Sequence, residues 1–352
     1  MSVRTTTIGA FPKPDFLDVT DWFDQEAGGP DSTDPTQRYS EDLERLGDEA
    51  EAQFVRAADA VIRDQVAAGI DIVTDGEVRR ENYIHYHCRH LDGIDFEMLT
   101  EKALRGGAYN ARLPTIVGPV KAGEPFLPHD WKAAQALTDK PVKTTLPGPM
   151  TVGDTVADNH YDDPVRRGAD LADALNREIL ALAEAGCRHI QIDEPLFARK
   201  VAEALDYGFE HIERCFHNVP DSVVRTVHMC CGYPDRLDNP DYPKASKASY
   251  FDLAPAIEAS SIQAVSIEDA HRNNDLSLLE KFETTTVIFG VVAIAKSRVE
   301  SVDEIRQRLS SALKHIDSDR LVAAPDCGLG LLGRELAIAK LKNLGDAANS
   351  IV

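Results

Sequence analysis

Cysteine is scarce in this chain, with six residues scattered through a length of 352. Small disulfide-stapled domains carry a far denser set, because their cysteines replace the core that a short chain cannot build. The sequence therefore excludes a disulfide scaffold. In a reducing compartment we expect the cysteines to be buried, bound to a metal or reactive, and their positions must decide which.

Long apolar runs are missing as well, and basic residues are few. No uninterrupted apolar run is long enough to cross a bilayer, and residues 1–9 lack the basic segment and apolar stretch of a secretory signal. The 59 acidic residues outnumber 38 basic ones, and the formal charge of −21 would repel a phosphate backbone or an anionic membrane. We therefore expect a cytoplasmic protein that binds neither nucleic acid nor a membrane.

What the chain does have is apolar material for a large core, since 43% of its residues are hydrophobic. Short β-branched runs alternate with helical periodicity, which is clearest at 51–68, 169–185 and 302–316, the last with a capping-box pattern at Ser301 and Glu304. The alternation predicts an α/β fold, a (β/α)8 TIM barrel. The predicted strands are residues 5–8, 70–73, 142–145, 189–192, 223–228, 264–267, 286–292 and 321–324.

Two regions interrupt this alternation. Residues 18–42 are rich in Gly, Pro and Asp, and residues 92–132 contain a strand-like segment at 115–120. We interpret both as insertions, after strands one and two. No long linker bounds either region, and the barrel needs the segments on both sides of each, so residues 1–352 are predicted to form a single barrel domain.

The carboxyl ends of the predicted strands carry the residues with chemistry, and in barrels of this kind the reactive groups lie there. His228 and Cys230 are two apart on strand five, so their side chains project to the same side. Glu268 follows strand six, and Cys327 follows strand eight. One imidazole, two thiolates and one carboxylate suit a tetrahedral Zn²⁺, and the thiolates argue against magnesium or calcium.

Packing is the competing explanation, because a lone His-x-Cys pair on a strand more often belongs to an ordinary core. Here, however, three separate strand ends each supply a ligand-type residue. This coincidence favours a zinc site over ordinary packing. The remaining cysteines are predicted to be structural, since one alternates to the opposite side and three lie in or near helical segments. They are Cys231, Cys88, Cys187 and Cys215.

Several short motifs, in their order and spacing, resemble the catalytic domain of cobalamin-independent methionine synthase and its shorter standalone relatives. They are TTTIGAFP at 5–12, DGE at 75–77, LPGPMT at 146–151, QIDEP at 191–195, VHMC at 227–230, SIE at 266–268 and PDCGL at 325–329. The resemblance covers nearly the whole chain and implies a zinc-dependent methyltransferase. It places the zinc on His228, Cys230, Glu268 and Cys327, the same four residues that the strand ends select.

The resemblance also implies a homocysteine pocket, with Ile8, Gly9 and Ala10 at the amino acid's backbone and Glu77 and Asp193 at its ammonium group. Two carboxylates beside a metal select a thiol that carries an ammonium. From the residues alone, residues 75–77 are equally compatible with a turn and Asp193 with a helix cap. Glu268 and Asp193 are the predicted catalytic residues, and exchange of Glu268 for the incoming sulfur is a hypothesis. Arg79, Arg80, Tyr83, His85 and His87 receive no role beyond lining the pocket.

The sequence departs from the family at Ala293 and Ala295, where full-length synthases carry an Asp and a His implicated in protonating the folate leaving group. General acid catalysis typically contributes about 10²–10⁴-fold, so folate polyglutamate becomes a poor donor without it. A chain of this length also matches only the catalytic half of those synthases. We therefore expect the partners to be a homocysteine-like thiol and another methyl donor, such as a corrinoid or other methyl carrier. A homo-oligomer is compatible with the sequence.

Other functions remain open at this point. An enzyme similar to epoxyalkane:coenzyme M transferase would alkylate a sulfonate thiol, but a sulfonate calls for Arg or Lys where this chain has Glu77 and Asp193. A non-catalytic barrel with structural zinc would have its ligands in an odd place, at the catalytic mouth. A porphyrin-decarboxylase-like barrel would leave His228, Cys230 and Cys327 without an explanation.

Overall fold

The computed structural model describes residues 3–23, 34–104, 109–239 and 242–351, and their strands fall into two sheets. In chain order the strands are β1 (Arg4–Thr5), β2 (Val73–Thr74), β3 (Leu91–Leu104), β4 (Tyr109–Ala122), β5 (Val142–Pro147), β6 (Ala157–Asp158), β7 (His189–Asp193), β8 (Val224–Met229), β9 (Ala264–Ile267), β10 (Thr286–Val292) and β11 (Leu321–Pro325). The larger sheet has eight strands, all parallel, in the order β1-β11-β10-β9-β8-β7-β5-β2. The predicted TIM barrel is confirmed.

Helices connect the strands and cover the sheet. They are α1 (Asp34–Leu46), α2 (Ala50–Ala67), α3 (Tyr83–Cys88), α4 (Leu127–Gln135), α5 (Pro149–Thr155), α6 (Pro164–Ala185), α7 (Leu196–Arg199), α8 (Val201–Glu203), α9 (Phe209–Cys215), α10 (Ser249–Glu258), α11 (Val302–Ala312) and α12 (Arg334–Asn349). The long α6 is delimited by local chemistry: the Asp163 carboxylate accepts from the Val165 amide at its start, and Gly186 ends it at a φ of 113°. None of the described helices is both long and apolar enough to span a bilayer.

The predicted capping box is confirmed at the start of α11, where the Ser301 and Glu304 side chains each bond the other residue's backbone. The helix ends at Ala312, one turn before the predicted end at residue 316. The backbone turns after Leu313, and the amides of Lys314 and His315 bond carbonyls only three residues back.

The barrel closes between β1 and β2 at a seam formed by Thr5, Thr6, Asp71 and Ile72. The ladder there is a single bridge between Thr6 and Ile72. Side chains complete the closure, because the Thr5 hydroxyl donates to the Gly69 carbonyl at 3.1 Å and the Asp71 carboxylate accepts from the Thr5 amide at 3.1 Å. We call these contacts the barrel seam.

The predicted extents of strands one and two were wrong. The sequence placed them at 5–8 and 70–73, whereas the structure has two residues in each, Arg4–Thr5 and Val73–Thr74. For strand one the reason is that side chains satisfy the backbone beyond Thr6: the Gln191 amide donates to the Ile8 carbonyl, and the Thr74 hydroxyl donates to the Gly9 carbonyl. The chain therefore leaves the sheet early.

The insertion after strand two is mainly a long hairpin of β3 and β4, to which β6 adds a parallel third strand. Its apolar face packs on α6, with Ile116 and Val120 against Leu171 and Ala174. The insertion after strand one includes the start of α1, and residues 24–33 and 105–108 of the two insertions lie outside the described residues. The single-domain organisation stays a prediction.

Candidate active site

A cavity of about 570 Å³ opens where the barrel strands end. It collects residues that lie at or after the carboxyl ends of β1, β2, β7, β8 and β11, because the carboxyl ends of parallel barrel strands meet at one face. The sequence-predicted site residues that line it are Ile8, Gly9, Ala10, Glu77, Asp193, His228, Cys230 and Cys327. Glu268 is buried beside Cys230 and does not line the cavity.

His228, Cys230 and Cys327 form a compact donor cluster, with one ligand atom of each within 4.8 Å of the others. The Ser266 hydroxyl lies 2.8 Å from His228 Nδ1, so the other ring nitrogen, Nε2, faces Cys327 Sγ at 3.4 Å. Tetrahedral coordination with bonds of about 2.0–2.3 Å places ligand atoms about 3.3–3.8 Å apart. The His228–Cys327 distance therefore suits a shared metal ion.

Glu268 sits at the edge of this cluster. Its Oε1 lies 3.1 Å from Cys230 Sγ and accepts from the Cys231 amide at 2.9 Å. Its Oε2 is buried and has no hydrogen-bond partner among the described residues. Buried carboxylate oxygens are rarely left unsatisfied, and a missing metal ion is one established explanation. The donor set thus fits a divalent ion, with Glu268 grouped more closely with His271 and Asp326 than with His228.

The two thiols of the cluster ionise unequally. The hydrogen bond from Cys230, together with the adjacent His228 ring, lowers the pKa of Cys327 below that of an ordinary cysteine. The same hydrogen bond and burial raise the pKa of Cys230. Two interacting thiols lose their protons in successive steps, and a metal ion would favour the fully ionised pair.

Two buried carboxylates, Glu77 and Asp193, share the cavity with the donor cluster. Burial raises the pKa of Glu77, and it raises the pKa of Asp193 to about 7. Glu77 Oε1 accepts from the Thr145 hydroxyl at 2.7 Å and from Arg80 at 3.1 Å. A cation in the cavity would lower both pKa values, because it would offset the charge that burial disfavours.

Glu77 owes its place to backbone features of its neighbourhood. It has a φ of 58°, which is uncommon for a residue with a side chain and is typical of functional sites. Gly9 lies against it so closely that a Cβ built on Gly9 would be 2.5 Å from Glu77 Oε1. Only glycine at position 9 leaves room for the Glu77 carboxylate where it lies.

Sequence reasoning missed a chain of polar contacts beneath Asp193. The buried Lys143 ammonium donates to Gln191 Oε1 at 2.6 Å, and the Gln191 amide donates to Asp193 Oδ1 at 2.7 Å and to the Ile8 carbonyl at 2.9 Å. A signal was present, since Gln191 and Asp193 are two apart on β7 and share a face. Lys143 within a fully buried strand was a second signal.

The comparisons with known proteins agree with this geometry. A family model for the catalytic domain of cobalamin-independent synthase matches residues 3–350. The chain belongs to this family. It is a methyltransferase. The methionine synthase of Sulfolobus acidocaldarius is 28% identical to it, over 97% of this chain and 89% of the relative. The methionine synthase of Thermococcus kodakarensis is 29% identical, over 97% of this chain and 90% of the relative.

Solved structures of synthases show the same fold. The B12-independent methionine synthase from Shewanella sp. W3-18-1, solved in complex with selenomethionine, has a TM-score of 0.84 at 30% identity and covers 99% of this chain and 97% of its own. The putative vitamin-B12 independent methionine synthase from Listeria monocytogenes has a TM-score of 0.71 at 18% identity, with coverages of 99% and 98%. The second likeness is one of fold alone.

Five further residues were expected to line the pocket of this family member, and three of them do not. Tyr83 and His85 line the cavity, whereas Arg79, Arg80 and His87 do not. Arg79 forms a salt bridge to Glu51, and Arg80 holds Glu77 from behind. Because Arg79 is paired with Glu51 and Arg80 with Glu77, neither guanidinium reaches the cavity surface. The cavity lining also includes four aromatic side chains, Trp22, Phe23, Tyr83 and Tyr233, and two basic ones, Arg199 and Lys244.

The two alanines that replace the family's acid residues are buried and outside the cavity lining. The Ala293 amide donates to Glu300 at 3.1 Å, and the Ala295 amide donates to His271 Nε2 at 3.0 Å. This loop therefore contributes backbone donors to its neighbours and no side-chain acid to the cavity.

Proposed function

We propose that this chain transfers a methyl group to the sulfur of homocysteine or a closely related amino-acid thiol, with the help of zinc and a donor other than folate polyglutamate. One observation carries the proposal: the donor cluster and the two buried carboxylates, Glu77 and Asp193, face the same cavity. A ligand with a thiol at one end and an ammonium at the other matches both.

Zinc is the metal that this donor set favours. One imidazole nitrogen, two sulfurs and a carboxylate are typical zinc ligands, and the Ser266 contact to His228 Nδ1 is the outer hydrogen bond that zinc-binding histidines need. The 3.1 Å contact between Glu268 Oε1 and Cys230 Sγ supports a fourth ligand at Glu268. When bound, zinc would hold the substrate sulfur as a thiolate at neutral pH.

The amino-acid end of the substrate has its own set of groups. Glu77 and Asp193 would bind the ammonium, which would replace the proton that a pKa of about 7 leaves on Asp193 near neutral pH. The backbone amides at Ile8, Gly9 and Ala10 would bind the carboxylate. The Shewanella relative was solved in complex with selenomethionine, the selenium analogue of a methylated homocysteine, which supports an amino-acid ligand of this kind.

The donor side of the cavity argues for a leaving group that needs no proton. Ala293 and Ala295 stand where the family's acid residues would be, and neither of them lines the cavity. A methylated corrinoid or another activated methyl carrier meets that condition, because its carrier departs as a stable species. The folate amine does not.

Metal analysis and donor competition test the proposal. We expect the purified protein to hold about one zinc per chain, and to form methionine from homocysteine with methylcobalamin or a methyl-sulfonium donor faster than with methyltetrahydrofolate. Homocysteine should raise the melting temperature, whereas coenzyme M should not. Undiminished activity after exhaustive chelation, or a preference for methyltetrahydrofolate, would refute the corresponding part. Cys231→Ser serves as the control for Cys327→Ser, because Cys231 points at Tyr250 and away from the cavity.

A further inference from the structure

A second cluster of polar side chains adjoins the donor cluster. Glu268, His271 and Asp326 offer ligand-type atoms within 4.8 Å of one another, and the Glu268 and His271 side chains are each 1% exposed. Glu268 thus has neighbours on two sides: Cys230 on the side of the cavity, and His271 behind it.

The contacts of His271 show which ring nitrogen carries a proton. Its Nε2 accepts a hydrogen bond from the Ala295 amide at 3.0 Å, so the proton that faces the neighbouring carboxylates is on Nδ1. Nδ1 lies 2.8 Å from Asp326 Oδ2 and 3.8 Å from Glu268 Oε2. It is aligned for a hydrogen bond with neither, and no other described residue bonds it. One buried N–H donor therefore faces two carboxylates.

The two carboxylates differ in how well they are already satisfied. Asp326 accepts three backbone amides, from Asp269 at 2.9 Å, Ala270 at 2.9 Å and His271 at 2.7 Å. Glu268 has its hydrogen bonds on Oε1 alone, and its Oε2 has no partner among the described residues. The oxygen that gains most from the Nδ1 proton is therefore Glu268 Oε2, because an unsatisfied buried carboxylate oxygen is costly.

We propose that His271 is a positioning residue for Glu268, whose Nδ1–H donates to Glu268 Oε2 when that carboxylate leaves the metal to admit the substrate thiol. A shift of about 1 Å would bring the 3.8 Å separation to hydrogen-bond length. The displaced charge is then compensated inside the protein, which lowers the cost of ligand exchange. The inference rests on the proposed function, since it takes zinc at the donor cluster and a thiol substrate as given.

The experiment compares zinc affinity and homocysteine affinity in His271 variants, without turnover. Zinc affinity is measured by chelator competition, and homocysteine binding to the zinc-loaded protein by calorimetry. Loss of a hydrogen bond to a charged group predicts about 10- to 100-fold weaker homocysteine binding for His271→Ala. Zinc affinity should change by less than about 3-fold, because the resting ion does not need the displaced position.

Matched variants separate positioning from simple packing. The side-chain amide of His271→Asn lies where Nδ1 does and should restore homocysteine affinity to within about 3-fold of the wild type, whereas His271→Gln places its amide near Nε2 and should not. In a Glu268→Gln background, His271→Ala should have no further effect on thiol binding. Circular dichroism confirms that each variant is folded.

Three results would overturn the inference: wild-type homocysteine affinity in His271→Ala, equal losses in the Asn and Gln variants, or a parallel loss of zinc and thiol affinity. Wild-type protein that binds no zinc or no homocysteine would instead refute the proposed function. The two failures are therefore distinguishable, because the first appears only in the variants and the second in the unmodified chain.

Discussion

Replacing Gly9 by Ala tests whether Glu77 anchors the substrate. The added Cβ would lie 2.5 Å from Glu77 Oε1, whereas ordinary carbon–oxygen contacts are about 3.3–3.6 Å, so the carboxylate must retreat by about 1 Å. Its bonds to Thr145 at 2.7 Å and Arg80 at 3.1 Å leave it little freedom to do so. Displacing it removes one charged hydrogen bond from the substrate ammonium.

A charged hydrogen bond contributes about 1.5–3 kcal/mol, so the dissociation constant for homocysteine should rise about 10- to 100-fold. Calorimetric titration of the zinc-loaded Gly9→Ala protein measures this directly. Zinc content should stay at the wild-type value, since the atoms nearest to a Cβ on Gly9 belong to Glu77 and Thr145 and not to the donor cluster. Gly118→Ala is the control, because a Cβ there meets nothing within 4 Å and thiol binding should be unchanged. Wild-type homocysteine affinity in folded Gly9→Ala protein would refute the role of Glu77.

Three further predictions concern the metal site, a buried ion pair and a buried acid. Ser266→Ala removes the bond to His228 Nδ1 and should lower zinc affinity about 10- to 100-fold in chelator competition. An unchanged zinc affinity would show that the ring needs no outer partner. Lys340→Met leaves Glu300 without its 2.9 Å ion pair and should lower the free energy of unfolding in urea by about 3–5 kcal/mol. The exposed Lys342→Met should cost less than about 0.5 kcal/mol, and equal losses would contradict the argument. Burial raises the pKa of Glu178 from 4.5 to about 7, so the native state keeps a proton that the unfolded chain releases, and stability falls as the pH rises between these values. Glu178→Gln cannot ionise and should flatten that fall in urea midpoints at pH 5 and 8, whereas parallel profiles would disprove the assignment.

The sequence predicts those features that depend on position along one strand. His228 and Cys230 lie on one side because the strand period is two, and Cys327 joins them because barrel strands end at a common face. The same two rules bring Glu77 and Asp193 to one cavity. The roles of His228, Cys230 and Cys327 as zinc ligands, and of Glu77 and Asp193 as ligands of the substrate ammonium, stay predictions.

Features that depend on contacts between distant elements were not predictable. Two examples are the contact of Ser266 with His228 and that of Gln191 with Ile8, which join different strands or loops. The sequence of one segment alone does not determine how the two align. The approach of His271 to Glu268 likewise could not be predicted from either segment. The cytoplasmic location also stays a prediction.

The barrel seam has a consequence for how the molecule moves. One backbone bridge between Thr6 and Ile72 is the weakest part of the ladder, so thermal breathing of the barrel should begin there and amide protons near it should exchange early. Ile8, Gly9 and Ala10 continue from one side of this opening and Glu77 from the other. An amino acid that contacts both sides would hold them together, and its binding should slow deuterium uptake at the seam.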